Sequence, residues 1–181
     1  MSKEGALAKG VYCFEQIRNG QVIDSWTIDN ILPLEGLNYF INTGLNGASQ
    51  STSWYVGVFQ GNYTPVTSDT AATFQGAATE CVSYSETARQ TCTFATSTAA
   101  TSSNTGTPAV MTFNAVVSVY GAFVASTSAK NSTLGTLLSA ARFSAVKNMT
   151  DVNHLFLRAN VYLYQSVSKW EYFCNICCKI F

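Results

Sequence analysis

The sequence predicts a mainly β protein, an antiparallel β-sandwich or jelly-roll-like domain with one or two short helices. Three observations carry that expectation. The apolar runs are short and rich in aromatic and β-branched residues, as in W-Y-V-G-V-F (54–59) and in Ala109–Ser126. Turn signals built from Gly, Asn, Ser and Thr separate them. Only two places, 33–45 and 69–74, carry a helical signature.

Taken in order, residues 10–18 and 21–28 flank Asn19-Gly20 and form a β-hairpin, because both turn residues tolerate the positive φ of a type I′ turn. In the second arm Val22, Asp24 and Trp26 alternate imperfectly with Ile23, Ser25 and Ile28, so one face is less well covered. Residues 33–45 place Leu34, Leu37, Ile41 and Leu45 at three- and four-residue spacings, an amphipathic helix stopped by Gly44 and Asn46-Gly47. A strand over 52–60 follows, in which Gly57 signals a bulge or a close backbone approach. Residues 62–70 read as a loop bent at Pro65, and Asp69 caps one helical turn.

Glu80–Tyr84 and Arg89–Phe94 read as extended, with 85–88 crossing between them. The small-polar run 96–108 reads as a surface loop. Ala109–Ser126 is long enough for two strands or one bent strand, with the bend at Gly121. After a turn at 130–135, residues 136–146 carry Leu137, Leu138 and Phe143, and 154–167 alternate as a half-buried strand. Residues 1–167 form a single domain on this reading, and 168–181 are an aromatic, Cys-rich tail of different composition that docks on a neighbouring subunit or packs on its own domain.

Charge narrows the function classes. Charged residues make up 11% of the 181-residue chain, against about 25% in an average domain, and the net charge is zero. Such a surface favours association into an assembly, a homo-oligomer included, and lacks the Lys/Arg cluster that phosphate recognition needs, so no nucleic-acid partner is expected. No apolar run is long enough for a transmembrane helix, so no membrane partner is expected, and the N-terminus lacks the apolar core of a signal peptide. Six unevenly spread cysteines, at 13, 81, 92, 174, 177 and 178, read as reduced thiols made in a cytoplasm. Cys81 and Cys92 could face each other across a hairpin, although small apolar packing suits both.

Little in the chain points to catalysis. His154 lacks a nucleophile or proton acceptor in its sequence context, and Glu80 with Glu86 is a spacing that arises by chance as easily as in a glycosidase. Cys174 and Cys177 could supply two zinc ligands, but Cys178, His154 and Cys13 do not complete a second knuckle. No enzyme, no cofactor and no metal are expected. The stretch Thr79–Phe94 stands out instead. Between Gly36 and Ala129 the only charged side chains are Asp69, Glu80, Glu86 and Arg89, and three of them fall here. A chain so sparing of charge is expected to pair Glu80 with Arg89 across a bend, with Tyr84 packed beside them, as a clasp ordering a loop that other chains meet. The competing reading is a solvated loop.

The order E-G-L-N-Y-F-I-N-T-G-L (35–45), W-Y-V-G-V-F (54–59), N-Y-T-P (62–65), E-C-V-S-Y-S-E-T-A-R-Q (80–90) and F-V-A-S-T-S-A-K-N-S-T-L-G-T-L-L-S-A (123–140) resembles small virion accessory proteins of tailed bacteriophages, of the kind that decorate or cement the capsid. The resemblance covers about 10–166 and its motifs are structural. It implies a non-enzymatic subunit, made in the host bacterial cytoplasm, that binds the major capsid protein lattice on the virion exterior, often as an oligomer. A tail or fibre-attachment role and a carbohydrate-binding module for the host surface are the alternatives. Candidate interface residues are Trp54, Tyr55, Tyr63, Trp170, Tyr172 and Phe173; for Trp54, as for Phe59, a core position competes with that role.

Overall fold

The computed structural model describes the backbone of residues 7–97, 99–149 and 155–166, and side chains over 10–97 and 99–149. The chain is mainly β, with antiparallel sheets and two helices in a sandwich-like arrangement. The hairpin forms as the Asn-Gly signal requires: β1 (Leu7–Arg18) and β2 (Gln21–Asn30) meet at a two-residue turn in which Asn19 and Gly20 have φ of 51° and 75°. Helix α1 (Leu34–Leu45), β3 (Trp54–Phe59) and α2 (Ala71–Ala78) follow. After them come β4 (Gln90–Cys92), β5 (Thr101–Ser103), β6 (Ala109–Phe113), β7 (Val117–Ala125), β8 (Leu137–Met149) and β9 (Leu155–Ser166).

One sheet runs β2-β1-β9-β5, with β6 also paired to β9; the other runs β4-β3-β7-β8. Tyr12 and Phe14 of β1, with Met111 and Phe113 of β6, share one buried cluster with Val56, Val58, Val124 and Leu138 from the second sheet. The alternate side chains of that second sheet, Phe59, Phe123, Ala125 and Leu137, share another cluster with Ala71, Phe74 and Ala78 of α2. Because it is covered on both faces, β7 is buried without alternation from Gly121 to Ala125.

Two glycines make this sheet possible. In the β3–β7 register Gly57 faces Phe123 and Phe59 faces Gly121. Each ring lies where its opposite glycine's Cβ would stand, so each phenylalanine occupies space that only glycine leaves free. Gly57 is therefore a close approach, made by a side chain. Gly121 is not the bend expected of it: the strands part at Asn114–Val116, and Gly121 lies inside β7 beside a register shift.

Other expectations change as well. The small-polar run contains β5, whose three residues pair with Tyr162–Tyr164 of β9. The 69–74 turn is the start of an eight-residue helix, and its cap is Thr70, which accepts from the Thr73 N–H at 3.2 Å while the Thr73 hydroxyl accepts from the Thr70 N–H at 3.0 Å. Asp69 is buried one residue earlier and closes the loop, accepting from the Val66 N–H and the Tyr63 hydroxyl, both at 2.8 Å. Glu80 and Tyr84 make isolated bridges, to Phe59 and Phe113, in place of a continuous strand. Cys81 and Cys92 are free thiols buried in the core. Burial pushes the Cys81 thiol up and raises that of Cys92 to about 12.

Candidate functional site

Helix α2 ends at Thr79, whose φ of 52° turns the chain so that Glu80 bridges β3. Nine residues on, the Arg89 N–H donates to the Ser128 carbonyl at 2.8 Å, fixing the chain just before β4. These two anchors bring the charged groups together. Arg89 Nε and Nη2 donate to Glu80 Oε1 and Oε2 at 2.9 and 2.8 Å, a two-pronged pair whose side chains are 1% and 0% exposed. Phe123 lies under the guanidinium, 5.0 Å from Cζ to the ring centre.

The remaining valences of the pair go to one loop, 126–136. Arg89 donates to the carbonyls of Thr127 at 2.9 Å and Ser132 at 3.1 Å, and the Asn131 N–H donates to Glu80 Oε2 at 2.6 Å. Asn131 and Gly135 hold positive φ, 58° and 89°, a conformation these two residue types adopt readily, so local preference and the buried pair act together on the loop's course. At its tip Leu134 is 73% exposed. The buried pair thus holds a loop that presents an apolar side chain to solvent.

Tyr84 is 2% exposed, and Lys130 stands over its ring, 3.5 Å from Nζ to the centre. The same ammonium donates to the carbonyls of Tyr84 and Val82 at 2.9 and 3.2 Å. Burial pushes the Tyr84 hydroxyl upward, with the Glu80 charge adding to it; desolvation draws Lys130 downward against the pull of Glu86 and Glu80. The structure therefore pairs Glu80 with Arg89 in the interior, which the solvated-loop reading does not describe, and seats Tyr84 under Lys130 of the loop that the pair contacts. No pattern in the sequence pointed to Lys130.

All four charged side chains between Gly36 and Ala129 are engaged internally. Besides the clasp and Asp69, both carboxylate oxygens of Glu86 accept from the Thr112 N–H at 3.1 Å. Glu35 extends the pattern: its Oε2 accepts from the N–H groups of Ala71 at 2.8 Å and Leu137 at 2.6 Å, pinning the start of α1 to α2 and β8. Gly36 then lies against the Leu138 carbonyl, where a Cβ would clash, and Tyr39 meets Trp54 edge-on at 5.0 Å.

These contacts set the rotation of α1, and they turn its apolar stripe outward. Of the expected stripe, Leu34, Ile41 and Leu45 are 58%, 55% and 86% exposed and Leu37 is half-buried, whereas Gly36, Tyr39 and Thr43 on the opposite face look into the protein. The helix is where periodicity placed it, but three of the four stripe residues face away from the core. Phe40 and Val66 are also exposed, and the Leu34 N–H bonds to Thr67 O at 2.9 Å, which places Val66 at the same end of the helix.

Among the other candidates, Trp54 is half-buried against the core and Phe59 is fully buried. Tyr55 is half-buried on β3. Tyr63 is committed to the corner before α2 by Asp69 and by the Phe74 ring at 6.0 Å, and desolvation pushes its hydroxyl up. The structure does not bring Trp54, Tyr55 or Tyr63 to the clasp. Trp170, Tyr172, Phe173, Cys174, Cys177 and His154 lie outside the described residues. Among the described residues no group of three His, Cys, Asp or Glu could hold a metal ion, and no helix is long and apolar enough to cross a membrane. Compared with known proteins, the chain matches no protein-family model and no curated sequence.

Proposed function

We propose that this chain is a non-enzymatic structural subunit of a tailed-bacteriophage virion that binds the outer capsid surface and decorates or cements the major capsid protein lattice, after synthesis in the host cytoplasm. The observation that carries the reading is the outward apolar stripe of α1. A helix that turns Leu34, Ile41 and Leu45 to water while its charged residue is used inside is built for a partner surface, because contiguous exposed apolar area on a lone domain favours association. The rigidly held Leu134 loop supplies a second apolar contact with little ordering cost on docking. On a lattice that repeats each contact many times, modest affinity per subunit becomes firm retention, and neighbouring copies can form a homo-oligomer.

Cryo-electron microscopy of the particle tests this reading. Density for the chain at lattice positions over the whole head is expected; density only at the tail would replace cementing with tail or fibre attachment. Particles lacking the protein should release DNA at lower temperature, and an unchanged release temperature counts against cementing.

A further inference from the structure

The dipeptide Asn-Gly occurs twice in the chain, at 19–20 and 46–47, and the fold treats the two differently. Asn19 and Gly20 form the turn of the β1–β2 hairpin, closed by Arg18 opposite Gln21 and held by a register that runs on to Gly10 opposite Asn30. Asn46 and Gly47 follow the last turn of α1 and begin a stretch, 46–53, that belongs to no helix or strand. Both are exposed, and a Cβ at Gly47 would meet nothing within 4 Å. The N–H groups on either side, of Asn46 and Ala48, donate to the Asn42 carbonyl at 3.0 and 3.1 Å. The Gly47 N–H between them has no partner among the described residues, and neither has the Asn46 side-chain amide.

We propose that Asn46 is a self-modification site, at which the Gly47 nitrogen attacks the Asn46 side-chain carbonyl and converts the residue to aspartate and isoaspartate. The bond from Gly47 N to Asn46 Cγ forms, the Cγ–Nδ2 bond breaks, and the Gly47 proton leaves with the amide nitrogen as ammonia. Solvent water then opens the cyclic imide at either carbonyl, giving the α-linked or the β-linked acid with no other reactant. Glycine permits the attack because no side chain shields its nitrogen. Ring closure must rotate the asparagine about the bond from Cα to its carbonyl carbon. At Asn46 that rotation gives up one hydrogen bond, Ala48 to Asn42; at Asn19 it pulls Gln21 from Arg18 and starts to open a hairpin. Asn131-Ser132 is guarded in another way, since the Ser132 N–H donates to the Ala129 carbonyl and the Asn131 N–H to Glu80.

The product disturbs the end of α1. A carboxylate at position 46 stands at the negative end of the helix dipole, after a last turn with no basic residue and beside Leu45, the most exposed side chain of the stripe. The β-linked form also lengthens the backbone by one carbon within the span that closes on Asn42. Gly44 and Leu45 therefore fray. With α1 as the docking face, an aged subunit holds its partner less well; that consequence rests on the capsid-binding reading, and the modification does not.

The test incubates the full chain, folded and in urea, in warm, mildly alkaline buffer and follows it by chymotryptic peptide mapping, which separates residues 19 and 46. In urea the two sites should react at similar rates. In the folded chain Asn46 should keep that rate within a few-fold, while Asn19 slows about ten-fold. The loss of neutrality gives an acidic species on isoelectric focusing, since the unmodified chain has zero net charge, and Asn46→Ser should remove most of it. Protection of Asn46 equal to that of Asn19, or an acidic species undiminished in Asn46→Ser, overturns the proposal. Asn46→Asp should raise amide exchange at Gly44 and Leu45 several-fold and lower retention on particles. Unchanged exchange overturns the effect on α1; raised exchange with unchanged retention upholds the modification and removes α1 as the docking face.

Discussion

The clasp and helix α1 invert the usual distribution of residue types. At the clasp two full charges lie in the dry interior, and on α1 three large aliphatic side chains lie in water. The two departures have different physical standing. A buried ion pair is weak evidence for stability, since its desolvation offsets much of its attraction, but it defines geometry, because neither partner tolerates loss of the other. An exposed apolar stripe contributes nothing to the isolated fold and becomes favourable only when covered. The clasp therefore belongs to the fold's geometry and the stripe to its associations, and the two should separate under mutation.

The sharpest way to break the inside half is Arg89→Met, which leaves Glu80 buried and unpaired. A loss of about 3–5 kcal/mol is expected, an apparent Tm lower by roughly 6–20 °C, or failure to fold, measured by thermal and urea unfolding. The double variant Glu80→Leu/Arg89→Met should recover most of that loss while leaving the 126–136 loop less protected in hydrogen exchange. Should Arg89→Met fold and dock normally, the clasp has no role.

Next in size is Gly36→Ala, which puts a methyl group on the Leu138 carbonyl and should cost about 1–3 kcal/mol by urea unfolding while disturbing the seating of α1. Alkaline titration sharpens the same contrast, because an interior that accepts a paired couple resists a lone charge. The Cys92 thiol ionises near 9.0 in the ordinary case and near 12 in the fold, so between those values the unfolded chain binds fewer protons and stability falls as pH rises. The slope should approach ~1.4 kcal/mol per pH unit for each such group. Cys92→Ala should flatten the slope between pH 9 and 12.

The smallest effect on stability is expected where the effect on association is largest. Leu34→Gln, Ile41→Gln and Leu45→Gln together should change unfolding free energy by no more than about 0.5 kcal/mol per site. The same triple variant should lose self-association in analytical ultracentrifugation and retention on particles. A triple variant that is badly destabilised would show the stripe to be part of the core.

The sequence made the clasp legible because charge is scarce: with four charged residues between Gly36 and Ala129, each had to be engaged or conspicuous. Glu35 and Lys130 lie one residue outside that window and escaped notice, although they obey the same rule. The hairpin was legible because Asn19-Gly20 fixes its turn locally. Other features depend on residues far away. Thr101–Ser103 has no apolar pattern and becomes a strand because β9 offers it partners. The break at Asn114–Val116 replaced one at Gly121 because Gly121 is needed opposite Phe59. Periodicity revealed an apolar stripe on α1 but could not say which way it faces, since Glu35 and Gly36 set that through Ala71, Leu137 and Leu138.

The pairing of β1 with β9, from Leu7 opposite Ser166 to Ile17 opposite Phe156, has a consequence in time. The first strand cannot complete its sheet until the last has been synthesised, roughly ten seconds later at translation rates on the order of 5–20 residues per second. Throughout that interval the edge of β1 opposite β2 carries unpaired backbone groups on the emerging chain. Productive yield should therefore respond to translation speed and chaperone supply more strongly than the stability of the finished protein would suggest.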